Sequence, residues 1–228
     1  MVMARPMIEA AERAGSDLKD SAKATASKRR KSAKRDVILK AAHRVFLEYG
    51  FPGATTDMIQ ARAGVSKSTL YSHFGSKEQL FEAVCHLSSE DFVRRIREAT
   101  EDVAEEPHKY LSRFGVKFLN ILFSDDGKAY YRLMIDNGLA FPHLGKYFYG
   151  AGVKAATDMI ECYLAEAHAR GKIVVEWPAL SSEHFMGMLR GDLHLRVMLN
   201  IGRPPTQEQI ERYVDLTVSR FLKAHDAK

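Results

Sequence analysis

Residues Thr55 to Glu78 read TTDMIQARAGVSKSTLYSHFGSKE. Thr55 and Thr56 can start a helix, because a side-chain oxygen accepts a free backbone N–H, and Asp57 suits the positive end of the helix dipole. Met58, Ile59 and Ala63 give that short helix an apolar face. Gly64 supplies a left-handed turn that a Cβ disfavours, and Val65 tucks into the angle that follows. Ser66 caps the next helix, which Leu70 and Phe74, four residues apart, anchor to a core. Lys67, Ser68, Thr69, Tyr71, Ser72 and His73 are left facing outward; all can donate hydrogen bonds to phosphates or base edges, and none is acidic. Two short helices around a glycine turn, the second polar and basic outside, predict a helix-turn-helix that enters the major groove of duplex DNA.

The run A-G-V-S-K-S-T-L-Y-S-H-F-G-S-K-E-Q-L, Ala63 to Leu80, resembles the DNA-binding domain of TetR-type transcriptional regulators. So does the preceding helix, Val37 to Gly50 with its aromatic Phe46, followed by Phe51-Pro-Gly-Ala-Thr-Thr. The resemblance implies a helix-turn-helix domain over 36–84, in which Tyr71 and Lys77 contact phosphates and Thr56 lies near the DNA backbone. It makes Lys67, Ser68, Thr69, Ser72 and His73 the candidates to meet the groove, with the capping residues Thr55 and Ser66 beside them. His73 either meets a base or packs locally against Phe74. Gln60 departs from the family, which places alanine there; its longer side chain either alters helix packing or reaches DNA.

Charge divides the chain in the same way. Residues 1–82 carry 15 Lys+Arg against 9 Asp+Glu, whereas residues 83–228 carry 19 against 20. The basic excess therefore lies in the first third, as a nucleic-acid reader requires. Residues 1–35 show little apolar periodicity and end in Lys28-Arg29-Arg30-Lys31-Ser32-Ala33-Lys34-Arg35. Such a self-repelling run reads as a disordered arm, with a contact along DNA as its functional reading. The chain contains no apolar run long enough for a membrane span or signal peptide, which places the protein in the cytoplasm.

Beyond Leu80 the pattern is helical throughout and predicts an all-α fold of about nine helices, with a larger domain over 85–226. Pro107 opens a helix to Phe123, Asp125-Asp126-Gly127 reads as a turn, and a long helix runs from near Pro142 to Arg170, where Gly171 stops it. Trp177-Pro178 precedes a helix to about Asn200, and Thr206 caps the last one. In that last helix Ile210, Tyr213, Val214, Thr217, Val218, Phe221 and Leu222 form one apolar stripe. The helix before it aligns Phe185, Leu189, Leu193 and Val197, with Gly187 and Gly191 permitting close approach. The resemblance implies that these two helices pair with their copies in a homodimer; the alternative is that both stripes bury into their own subunit.

The middle of the chain is rich in aromatic residues and methionine. Phe118, Leu122, Tyr131, Met134, Phe141, Tyr147, Phe148, Met159, Cys162, Tyr163, Trp177, Phe185 and Met186 either fill a core or line an apolar cavity for a small apolar or aromatic effector. Tyr130-Tyr-Arg-Leu-Met-Ile-Asp-Asn and Phe141-Pro-His-Leu-Gly-Lys-Tyr-Phe-Tyr resemble the C-terminal domain of the AefR-like subgroup. The sequence offers no phosphate loop, nucleophile elbow or zinc-ligand spacing, so no enzyme, metal or cofactor is expected. Cys85 and Cys162, too few for a disulfide framework, read as small buried hydrophobes, with Cys162 able to react if its thiol were activated. The expectation is a homodimeric repressor released from a near-palindromic operator by its effector, with a thiol-based redox regulator or a constitutive DNA-binding dimer as alternatives.

Overall fold

The computed structural model describes residues 5–100 and 104–225, with side chains from Arg29 onward. In chain order the helices are α1 (Arg5–Gly53), α2 (Thr56–Ala63), α3 (Lys67–His73), α4 (Lys77–Ala99), α5 (Pro107–Phe123), α6 (Asp125–Asn137) and α7 (Pro142–Phe148). A π-helical segment, Tyr149–Lys154, leads into α8 (Ala155–Ala169), followed by α9 (Pro178–Met198) and α10 (Gln207–Lys223). Since α7, the π-helical segment and α8 run on without a break, they count as one helix, giving nine among the described residues and no strand. The fold class is all-α, as the periodicity predicts. Among the described residues no helix is long and apolar enough to cross a membrane.

Local chemistry sets several of these boundaries. The expected proline starts appear at Pro107, Pro142 and Pro178, where a missing N–H costs a helix nothing. Thr206 and Gln209 form a reciprocal capping box at the start of α10. The expected turn at Asp125-Asp126-Gly127 is instead the first turn of α6: Ser124 Oγ accepts the Gly127 N–H at 3.0 Å, and both carboxylates sit at the positive helix end.

The N-terminal arm also departs from expectation. The backbone is helical from Arg5, so over 5–35 a helix replaces the expected disordered arm; residues 1–4 lie outside the described residues. Alanine, lysine and arginine are good helix formers, and that propensity extends α1 ahead of its first buried residue. Side chains from Arg29 to Val37 are exposed, and burial begins abruptly at Ile38 and Leu39.

The chain packs as two compact units, 1–45 with 54–80 and 46–53 with 81–228. In the first, Ile38, Ala42, Val45, Ile59, Leu70 and Phe74 are buried. The second has a long core built on α5, α8, α9 and α10, including Phe114, Leu119, Ile160, Phe185, Leu189 and Val218. Tyr110 and Tyr163, both buried in it, stack with ring centroids 3.6 Å apart. Phe51 also belongs to this unit and meets Phe81 at 4.8 Å and Phe141 at 4.9 Å.

The stripe on α10 is covered by its own chain. Ile210, Val214, Thr217, Val218 and Phe221 are all buried, four of them within the core cluster and α10 packed against α5. These five residues therefore do not offer a free face to a second subunit, because helix periodicity identifies an apolar side without saying what covers it. Gly191 likewise serves an internal approach: at φ 43° it lies against Tyr213, whose hydroxyl donates to the Met188 carbonyl at 2.8 Å. A Cβ at Gly191 would stand 2.7 Å from that hydroxyl, whereas one at exposed Gly187 would meet open space.

Candidate nucleic-acid interface

The helix-turn-helix follows from its caps. Thr55 Oγ1 accepts the Met58 N–H at 3.2 Å and starts α2; Ser66 Oγ accepts the Thr69 N–H at 3.2 Å and starts α3. Between them Gly64 adopts φ 64°, and the Val65 N–H closes onto the Gln60 carbonyl at 3.2 Å. Such a left-handed residue costs a Cβ-bearing side chain about 1–2 kcal/mol, so glycine fixes the angle between the two helices. Leu70 is fully buried and Phe74 nearly so, which clamps one face of α3.

The other face of α3 is turned out. Lys67, Ser68, Tyr71 and Ser72 are exposed, and Thr69 and His73 are half-buried. Ser66, Ser68 and Thr69 form a hydroxyl cluster with oxygens 2.8–3.0 Å apart about Ser66 Oγ. Ser72 Oγ donates to the Thr69 carbonyl at 2.8 Å, leaving its oxygen lone pairs as acceptors. Tyr71 OH lies 3.5 Å from Thr56 Oγ1, so the two residues assigned to the DNA backbone stand side by side. Lys77 is the first residue of α4, and its Nζ donates to the Ala54 carbonyl at 3.1 Å. That bond holds the ammonium beside a helix N-terminus, where two sources of positive potential add.

Two residues fall differently. Gln60 reaches back to Asp57 at 3.5 Å along its own helix, and the His73 ring lies tilted against Phe74 at 6.4 Å between centroids. A cation that sequence reasoning did not place is Arg35: its guanidinium lies 5.2 Å above the Phe74 ring, at the end of α3. The basic run was its signal, but only the fold brings it to this ring.

Of the residues expected to line a ligand cavity, several lie in the core and others in local aromatic groups. Phe118, Tyr163, Phe185 and Met186 are core residues, with Leu122 and Met159 packed against them. Met134 meets Cys85, Tyr147 lies against His86 at 3.7 Å, and Phe141 joins Phe51 and Phe81. Tyr131 and Phe148 do come together, 6.1 Å apart, and Tyr131 meets His194 at 5.0 Å. Phe123 completes that group, and His194 Nε2 is buried without a hydrogen-bond partner. Burial, then the positive charge of Arg190, holds the imidazole below its ordinary range, favouring the neutral ring. Trp177 is 68% exposed and lines a separate depression of about 460 Å³ with Val174, Leu180, Ser181, His184 and His225.

Of the two cysteines expected to be buried, one is. Cys85 is buried and its thiol is pushed up to about 12, chiefly by burial, whereas Cys162 is exposed on the outer side of α8. Among the described residues no cluster of three His, Cys, Asp or Glu side chains could hold a metal ion.

Several apolar side chains of the second unit remain uncovered in a broken line, interrupted where α9 kinks at Gly191 and ending at its C-cap Leu199. Leu180, Met188, Leu195 and Leu199 are exposed, with His184, Gly187 and Gly191 between them, and Leu216 is exposed on α10. This line is not the Phe185–Leu189–Leu193–Val197 line read from sequence: Phe185 and Leu189 are fully buried, and Leu193 and Val197 are half-buried.

Comparison with known proteins supplies the family. Residues 38–84 match the model of bacterial regulatory proteins of the tetR family, and residues 109–227 match the C-terminal domain of AefR-like transcriptional repressors. The chain is 29% identical over 164 residues to the HTH-type transcriptional activator FasR of Mycolicibacterium smegmatis, covering 70% of this chain and 74% of that one. It is 34% identical over 84 residues to the HTH-type transcriptional repressor AcnR of Corynebacterium efficiens, spanning 33% of this chain and 43% of that protein. Among solved structures, a putative TetR-family regulator from Mesorhizobium loti superposes with a TM-score of 0.81 at 26% identity, covering 87% of this chain and 99% of that one. The flavonoid-responsive regulator FrrA superposes with a TM-score of 0.72 at 29% identity, covering 86% and 99%. With the helix-turn-helix geometry in place and the AefR-like model spanning 109–227, the chain is a DNA-binding transcriptional regulator belonging to the TetR family.

Proposed function

We propose that the chain acts as a homodimeric repressor, with one α3 from each subunit in successive major grooves of a near-palindromic operator. The observation that carries this reading is the outward face of α3, where Lys67, Ser68, Tyr71 and Ser72 are exposed with no carboxylate among them. Two such helices read half-sites about 34–36 Å apart, centre to centre. The exposed Leu180, Met188 and Leu195 on α9, Leu199 at its C-cap and Leu216 on α10 support pairing with a second copy, because a single chain leaves those side chains in water. The relatives include an activator and a repressor by name, so the sign of regulation rests on this proposal and its test.

An effector would bind in the second unit and favour a subunit spacing that cannot span both grooves; it must bind that state better, or it shifts nothing. The aromatic group of Phe123, Tyr131, Phe148 and His194, with its unpartnered imidazole nitrogen, supports an aromatic ligand carrying one polar group. The flavonoid response of the similar regulator FrrA supports the same class. A cytoplasmic location accompanies this function.

The test follows a labelled fragment of the DNA upstream of the protein's own coding sequence by fluorescence anisotropy at fixed salt. It is challenged with planar aromatic hydroxyl compounds, antibiotics and peroxide. Saturable binding reversed by an aromatic compound is the expected result. Binding that no compound disturbs would contradict effector gating, and release by peroxide alone would move sensing to the exposed Cys162 thiol.

A further inference from the structure

The basic stretch ahead of the family domain, read from sequence as an arm along DNA, lies outside both matched regions, since residues 1–37 precede them. Its described side chains, Arg29 to Val37, hold Arg29, Arg30, Lys31, Lys34 and Arg35 against one carboxylate, Asp36, all exposed on α1. Helix geometry puts these cations on a defined side. Lys34 lies one turn before Ile38, Arg35 one turn before Leu39, Arg30 one turn before Lys34, and Lys31 one turn before Arg35. The face of α1 that is apolar and buried from Ile38 onward is therefore basic and uncovered before it. That same face is the one turned towards α3, because Arg35 lies 5.2 Å over Phe74, the C-cap of α3. The row thus begins beside the C-cap of α3 and extends N-terminally along α1.

From this juxtaposition we infer that Arg30, Lys31 and Lys34 form a second DNA-contacting surface, a helical rail that binds the phosphates flanking each half-site. The inference rests on the reading of α3 as the groove helix. Lysine and arginine on a rigid helix meet phosphates as point charges and forks, with no need to order a flexible arm at the moment of binding. Arg35 is the hinge between the two surfaces: it positions the rail against Phe74 rather than serving as a free cation. The partner is duplex DNA beyond the groove contacts. The contact is insensitive to base sequence and strongly sensitive to salt.

The test compares the full chain with a triple variant, Arg30→Gln, Lys31→Gln and Lys34→Gln, which removes charge but keeps helix-forming residues. Lys40→Gln serves as the control, because Lys40 is exposed on the same helix but lies about 80° or more around it from each rail residue. Affinity is measured against salt on two probes: a long duplex of random sequence, and a duplex that the full chain selects from a random pool, the latter both at full length and trimmed to its half-sites. Each lost phosphate contact lowers the slope of log affinity against log salt by about 0.9, so the triple variant should lose about two to three from the slope on long DNA. On the trimmed duplex the variant and the full chain should bind alike, and Lys40→Gln should keep the full slope on every probe. An unchanged slope in the triple variant overturns the inference. So does an equal loss on trimmed and long DNA, or an effect of Lys40→Gln as large as that of each rail residue. If the pool yields no preferred sequence, the proposed function fails, while a slope reduced on random duplex still upholds the rail.

Discussion

Helices α3 and α10 carry the two most regular patterns in this chain, and they teach opposite lessons. Seven-residue α3 presents hydroxyls and the Lys67 cation outward from a clamped apolar side, and the structure leaves that face open. Seventeen-residue α10 presents a cleaner apolar stripe, and the structure closes it inside its own subunit. A polar face that survives folding uncovered is a surface for something else. An apolar stripe says only that it is covered, because the hydrophobic effect has no direction and any apolar partner satisfies it.

The largest test of that contrast is Phe221→Ala. Loss of a buried phenylalanine costs about 3–5 kcal/mol. If α10 belongs to the core of one chain, thermal unfolding should shift to a lower temperature at every protein concentration. A shift seen only on dilution would return the stripe to the subunit interface. Next comes the pair Leu195→Glu and Leu199→Glu, exposed at the C-terminal end of α9. Helical signal should persist while sedimentation shows a weakened dimer, by about 2 kcal/mol or more if these are central contacts. A dimer of undiminished affinity would free that face from the proposed pairing.

Smaller effects sharpen the α3 side. Ser66→Ala removes the cap from α3 and should cost about 1 kcal/mol of stability, with a matching drop in DNA affinity where folding and binding are coupled. Lys77→Ala should lower the salt slope by about one, and full retention of the slope would show that its bond to Ala54 is purely structural. The smallest effect concerns His194, whose imidazole is held below its ordinary range by burial and by Arg190. The unfolded chain binds that proton more readily, so the contribution is complete above about pH 6.5 and is lost as pH falls through the folded value. His194→Gln should therefore flatten the acid limb of stability, and an unaltered limb would show that other groups govern it.

What was legible in the sequence follows the range of each interaction. The caps Thr55 and Ser66, the glycine turn and the α3 face depend on residues within one or two turns, so their order in the chain contains the geometry. The starts at Pro107, Pro178 and Thr206 were legible for the same reason. The arm misled because a run of like charges reads as repulsion, whereas the same alanines, lysines and arginines have high helix propensity and extend α1. The ligand list could not be sorted from the sequence, because aromatic residues in a helical protein share one composition whether they stack in a core, as Tyr163 does on Tyr110, or stand exposed, as Trp177 does. The open line of α9 went unread because its leucines are interrupted by His184, Gly187 and Gly191, while Phe185 and Leu189 beside it are stronger apolar signals. Such distinctions are tertiary, and only the fold draws them.

The central claim is that two copies of α3 read adjacent major grooves. Methylation interference on a duplex selected by the full chain, combined with the mass of the complex, tests it most directly. Methyl groups at guanine N7 project into the major groove, so interference should fall in two patches whose centres are about 34–36 Å or a multiple of one helical turn apart, with an even number of chains per site. A single patch bound by one chain, or interference confined to methylated adenine N3 in the minor groove, would contradict the account.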